Sequence, residues 1–304
     1  MDVLTLILIV AGLGLFETIN SVDNAIINAE ILAGMQPKMQ RWFLLWGLLL
    51  AVFLIRGLLP WLIVWTVNPE LGPVQSLTAT FSNDPKVLQA VHHSAPLLLM
   101  AAGTFLLFLF FHWLFLEPKS FGLWGEKFFY KNGVWFYAVV SVLLSIIVWQ
   151  ALKIGSLPAF AAVVGSTVFF ITHGFKQNAE ADEKKLLSSH RSDLSKVFYL
   201  EVIDASFSID GVLGAFAFTM SVPLILIGNG LGAWVVRYIT ISNIYNIKKY
   251  QFLKNGAMYS ILVLGLIMLA DAFGFDIPSW LSPVATFIVV GYFFYKSRQV
   301  LLAA

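Results

Sequence analysis

The sequence predicts an all-α fold: a polytopic membrane helix bundle of about nine spans with an inverted 3+3 repeat. Three observations predict it. Of 304 residues, 59% are hydrophobic and 12% charged, about half the roughly 25% charged share of a soluble domain. Apolar runs of about 20 residues, the length that crosses a hydrocarbon core, recur along the chain. Lys and Arg gather in alternate connections, the asymmetry that orients membrane helices.

The runs are 3–33, 42–66, 94–116, 133–152, 157–174, 198–220, 222–242, 256–273 and 280–298. The first lacks a basic leader and a small-residue cleavage site, so it reads as a retained span. Lys38 and Arg41 follow span 1; Lys119, Lys127 and Lys131 follow span 3. Lys176, Lys184, Lys185, Arg191 and Lys196 follow span 5, and Lys248, Lys249 and Lys254 follow span 7. Lys296 and Arg298 close span 9. The other connections hold only Lys86 and Lys153. The expected topology is a multi-pass protein of the inner (plasma) membrane, N-terminus outside and C-terminus cytoplasmic. Most of the ten Trp and nine Tyr fall near span ends, as in aromatic belts. The polar stretch 175–197 reads as a cytoplasmic linker, helical in part.

Two self-similarities divide the chain. Glu17-Thr-Ile-Asn-Ser21-Val-Asp23-Asn24 pairs with Asp204-Ala-Ser-Phe-Ser208-Ile-Asp210-Gly211, and Gly47 precedes Arg56 as Gly228 precedes Arg237. Spans 1–3 therefore correspond to spans 6–8, in opposite orientation. The expected units are a first transmembrane repeat at 1–116, connecting spans 4 and 5 with the linker at 117–197, and a second repeat plus the last span at 198–304. Inverted repeats mark secondary transporters, with the site near the midplane between halves.

Chemistry concentrates in those motifs. Glu17, Asp23, Glu201, Asp204 and Asp210 all lie inside predicted spans. Five uncompensated acids there would cost on the order of 12–18 kcal/mol at about 2.5–3.5 each. Arg56 and Arg237 are the bases the pattern supplies, which leaves a surplus for bound cations or protons. The further donors are amides (Asn20, Asn24 and Asn28) and hydroxyls (Ser21, Ser206 and Ser208), with no cysteine in the chain. An all-oxygen set selects hard cations: Mn²⁺, Ca²⁺ or Mg²⁺. Glu201, Asp204 and Ser208 share one helical face. Asp23 and Asp210 stand six residues beyond their partner acids, about 240° around an α-helix. Convergence therefore predicts unwinding near 20–24 and 205–211, with Ser and Asp as N-caps and Gly211 at the bend. The bland alternative makes the acids ion-pair partners of Arg56 and Arg237.

Three segments carry a resemblance: Phe16–Ala29, Met39–Arg56 and Leu200–Thr219. They resemble the TerC family, in its DUF475 branch, within the LysE-like transporter superfamily. The resemblance implies tellurium-resistance or manganese-export roles. It implies metal ligands at Glu17, Asp23, Asn24, Glu201, Asp204 and Asp210; the donors and bases read from the motifs, Asn20, Ser21, Ser206, Ser208, Arg56 and Arg237, would support them. One departure stands out: the family has Glu-His-Gly-Ala before span 8, and this chain has Lys254-Asn255-Gly256-Ala257.

The expected function is a membrane transporter, an exporter, of a divalent cation, Mn²⁺ first, exchanged for protons. A non-transporting scaffold of a metal-stress complex is the rival. An intramembrane aspartyl protease needs Tyr-Asp and Gly-x-Gly-Asp, and neither occurs, so no enzyme is expected. The expected partners are the lipid bilayer and the metal ion, with room for a homo-oligomer. No basic stripe suggests nucleic acid. His92 and His93 read as outer-loop residues, His112 and His173 as interfacial, and Asp271 as near the outer end of span 8.

Overall fold

The computed structural model describes residues 2–47, 57–78, 85–187, 192–198, 200, 209–242 and 249–303. All regular structure in them is helical. Helix α1 (Val3–Asn20) starts on the Asp2 carboxylate, which accepts from the Thr5 amide at 2.8 Å. Next come α2 (Val22–Ala33), α3 (Pro37–Trp42), a π-turn at Phe43–Gly47, α4 (Leu58–Val67) and α5 (Pro73–Thr78). Helix α6 (Pro85–Leu116) is followed by α7 (Glu126–Lys131), α8 (Phe136–Ala151) and α9 (Ser156–Leu187). The second half holds α10 (Ile209–Ala215), α11 (Val222–Ser242), α12 (Leu253–Ala272) and α13 (Leu281–Ala303).

Among the described residues, five stretches are long and apolar enough to cross a membrane: Val3–Asn20, Ser94–Leu116, Gly133–Ala151, Ser156–Asn178 and Leu253–Ala272. They answer expected spans 1, 3, 4, 5 and 8. Shorter apolar helices stand within spans 2 and 7, Leu58–Val67 and Val222–Tyr238. The protein is a polytopic helical membrane protein.

One connection differs from the sequence reading. Helix α6 begins at Pro85, so His92 and His93 lie in a helix and not in a loop. Helix α9 runs on to Leu187, the helical part expected of the polar stretch. Hydropathy locates the membrane boundary, whereas backbone hydrogen bonding continues a helix beyond it.

Helix α6 is the centre of the bundle. Between Leu98 and Phe115 it is apolar on every side and buried almost throughout, as expected for a helix surrounded by others. It packs against α12, α9 and α8. In contrast α8 and α9 expose Val142, Ile146, Trp149, Phe160 and Phe170, the surface a lipid-facing helix presents. With lipid as apolar as leucine, helices associate through close packing at small residues. Gly103 of α6 and Gly265 of α12 meet in this way: a Cβ on Gly103 would stand 3.0 Å from the Gly265 carbonyl.

The second tight crossing joins α1 to α11 through Gly14 and the Gly228-x-x-x-Gly232 pair. A Cβ on Gly228 would fall 2.5 Å from Leu13 Cβ. At the same crossing Thr18 donates to the Gly14 carbonyl at 2.6 Å, so its hydroxyl is satisfied within the apolar layer.

Basic residues gather at one end of the bundle. Beyond the last turn of α6, Lys119 donates to the carbonyls of Trp113, Leu114 and Glu117, which caps the helix C-terminus. Lys296 of α13 donates to the Gly122 carbonyl. Lys254 of α12 pairs with Glu117 at 2.9 Å.

Candidate functional site

Glu17 is 1% exposed and sits where α1, α10 and α11 meet. Its Oε1 accepts from Ser21 Oγ at 2.8 Å. Its Oε2 lies 2.9 Å from where a Cβ on Gly211 would be, and its Cβ lies 2.6 Å from the corresponding position on Gly232. Two glycines thus make room for one buried carboxylate. Gly211 immediately follows Asp210, so the acidic motif of the first half touches that of the second. Asn20 Nδ2 stands 3.7 Å from the same Gly211 position.

Gly211 serves differently from the expectation of a bend. It lies inside α10 without a positive φ, and its missing side chain is what Glu17 occupies. The expected unwinding at 20–24 is a one-residue interruption. Ser21 keeps right-handed backbone angles (φ −93°, ψ 0°), and the amides of Ser21 and Ala25 still bond the carbonyls of Glu17 and Ser21. Ser21 makes no side-chain cap, because its hydroxyl is committed to Glu17.

Asp210 is largely buried, and its Oδ2 stands 3.8 Å from Lys176 Nζ of α9. That lysine had been counted with the cytoplasmic linker, and Arg56 and Arg237 as the bases serving the acids. Lys176 is therefore a base the sequence reading missed. The signal for it was the helical register that continues one turn past His173. Arg237 donates from Nη1 to the Phe43 carbonyl at 2.6 Å and lies 4.3 Å over the Phe43 ring. It thereby ties α11 to the π-turn.

Glu201, Asp204, Ser206, Ser208 and Arg56 lie outside the described residues, as do the side chains of Asp23 and Asn24. Among the described residues no three His, Asp or Glu side chains form a metal-holding group. Of the six sequence-derived ligands, Glu17 and Asp210 have described side chains.

A second polar layer lies toward the basic end. His112 is 8% exposed; its Nδ1 stands 3.4 Å from Glu117 Oε1. Its ring centroid is 3.9 Å from that of His173. Both rings sit among aromatic neighbours, Phe136 at 5.5 Å from His112 and Phe169 at 5.8 Å from His173. His112, near the C-terminal end of α6, is buried between α6 and α9. Burial pushes the Glu117 carboxyl up; contact with His112 and the charges of Lys254 and Lys176 outweigh it and hold the group below its usual range.

Glu126, 1% exposed, accepts from the Gly122 amide at 2.7 Å and from Asn255 Nδ2 at 3.1 and 2.9 Å. The residues at the family departure are thus both engaged: Lys254 neutralises Glu117, and Asn255 satisfies Glu126. At the opposite end, a cavity of about 160 Å³ is lined by Thr219, Met220, Asp271, Ser279 and Ser282. Asp271 lies in the last turns of α12, as span 8 predicted.

Fold and site define the class: a polytopic all-helical membrane protein with buried carboxylates where its helices cross. Residues 22–300 match the family described as "Protein of unknown function (DUF475)". The chain belongs to the DUF475 family. It is also 31% identical over 106 residues to "Uncharacterized membrane protein YceF" of Bacillus subtilis (strain 168). That match covers 34% of this chain and 41% of YceF. No solved structure matches.

Proposed function

We propose that this protein carries a divalent cation across the membrane, Mn²⁺ first among the hard ions its oxygen donors accept. One observation carries the reading: the buried Glu17 carboxylate abuts Gly211, next to Asp210, so the acidic motifs of both halves adjoin inside an apolar bundle. A carboxylate kept in such a place is expensive and by default functional. Glu17 and Asp210 would hold the ion with Asp23, Asn24, Glu201 and Asp204, the ligands implied by the TerC resemblance. Asn20, Ser21, Ser206 and Ser208 would complete or steady the oxygen shell. The basic end would face the cytoplasm, and export would proceed against proton entry by alternating access.

The scaffold reading has its own support: Lys176 stands beside Asp210, so this acid has a cation within the protein. A metal titration of the purified full-length chain separates the two, with Mn²⁺, Ca²⁺, Mg²⁺ and Zn²⁺ run beside Asp210→Asn. Mn²⁺ binding that the variant loses supports transport. No binding to either protein overturns it in favour of a structural ion pair.

A further inference from the structure

We propose that His112 and His173, backed by Glu117, form a proton-binding site that holds one shared proton and serves the proton side of cation exchange. The coupling role rests on the cation reading above; the shared proton rests on geometry alone.

The two imidazoles come from different helices, α6 and α9, and their centroids lie 3.9 Å apart. Two imidazolium charges at that separation repel strongly, the more so between apolar rings. The pair therefore carries at most one imidazolium. His112 Nδ1 is fully buried and makes no complete hydrogen bond, although Glu117 Oε1 faces it at 3.4 Å. A buried ring nitrogen in this condition is unusual. A proton on it would be drawn to the carboxylate. On the other side, Gln177 Nε2 lies 3.0 Å from His173 Nε2. An amide can present its nitrogen to a bare ring nitrogen or its oxygen to a protonated one, so both states of His173 find a partner.

The charged groups around the pair come from every polar neighbour. They are Glu117 and Lys119 beyond α6, Lys176 on α9, Lys254 on α12 and Asp210 on α10. Phe136 of α8 closes the remaining side without charge. The pair stands one helical turn from Lys176, which reaches Asp210, and directly against Glu117, which reaches Lys254. It therefore adjoins both the candidate ion site and the basic end. Imidazole is the side chain that exchanges protons in the physiological range. A proton arriving as the cation leaves would be taken up by the free ring nitrogen and released from the pair to water at the basic end, which restores the starting state.

Two measurements test this on the full-length protein. In lipid nanodiscs, ¹⁵N-histidine NMR, assigned with His112→Gln and His173→Gln, should show the two rings together taking up one proton as the pH is lowered. Uptake of two protons overturns the shared site. In proteoliposomes with an imposed Mn²⁺ gradient, a pH-sensitive dye should show proton counterflow falling at least about tenfold in His112→Gln, while Mn²⁺ binding persists. Counterflow equal to wild type, or loss of Mn²⁺ binding with it, overturns the coupling role. If the wild-type chain moves no Mn²⁺, the cation reading falls and the coupling role with it. The NMR titration then still decides the shared proton.

Discussion

Replacing Gly232 with Ala should force α1 and α11 apart, and replacing Gly14 on the facing helix should not. A Cβ on Gly232 would stand 2.6 Å from Glu17 Cβ, 2.7 Å from the Gly14 carbonyl oxygen and 2.8 Å from Glu17 Cγ. Carbon atoms in good contact stand about 3.5–4.0 Å apart, so the overlap is about 1 Å against groups at or next to the α1 backbone. A Cβ on Gly14 would meet the Gly228 carbonyl oxygen at 3.6 Å and the Gly232 nitrogen at 3.8 Å, ordinary contacts. Both substitutions gain about 0.5–1 kcal/mol of helix preference from losing a glycine. That gain cancels in the comparison and leaves the clash, about 1–3 kcal/mol for an overpacked site. Gly232→Ala should therefore unfold more readily than Gly14→Ala by about 5- to 150-fold in equilibrium constant. Reversible unfolding in lipid–detergent micelles, followed by tryptophan fluorescence, measures it. Because the clash falls on Glu17, the Mn²⁺ binding proposed above should weaken in Gly232→Ala and persist in Gly14→Ala. A Gly232→Ala protein as stable as Gly14→Ala would refute the close approach.

Glu117 gives a pH prediction. Its folded-state carboxyl is held below the ordinary value of 4.5. The ionised group therefore contributes stability above that value and loses it as pH falls below about 4.5 toward the folded one. Unfolding free energy of the wild type should drop over that acid window, and Glu117→Gln should be less stable at pH 7 with a shallower acid limb; parallel limbs would contradict this. Asn255→Ala should cost about 1.5–3 kcal/mol, because it removes a side-chain donor from the buried, charged Glu126 carboxylate. Asn255→Asp should cost more by like-charge contact. Equal stability of Asn255→Ala and wild type in the same micelle assay would show that Glu126 finds another donor.

Much of this protein was legible one stretch at a time. Apolar length located the helices 94–116, 133–152 and 256–273, since each must satisfy its own backbone hydrogen bonds in lipid. The phase of Glu17 and Asp23 predicted an unwinding near 20–24, of which the structure keeps a one-residue interruption at Ser21. The motif pairing of the two halves anticipated that the two acidic motifs would adjoin, as Glu17 and Gly211 do.

The tertiary structure decided what surrounds each charge. Lys176 looked like a linker residue until α9, α10 and the end of α6 converged beside it. His112 and His173 are 61 positions apart by their numbering, and no local pattern pairs them. Gly211 read as a bend and is the cavity for another helix's carboxylate; Ser21 read as a cap and is that carboxylate's donor. Hydropathy and helical period are properties of a single segment, so they fix which segments cross and which face is polar. The partner of a buried polar group is set by the crossing of two or three helices, and that depends on side-chain volumes at the contact. Replacing one glycine at the α1–α11 crossing would change it while leaving both hydropathy and period almost as they are.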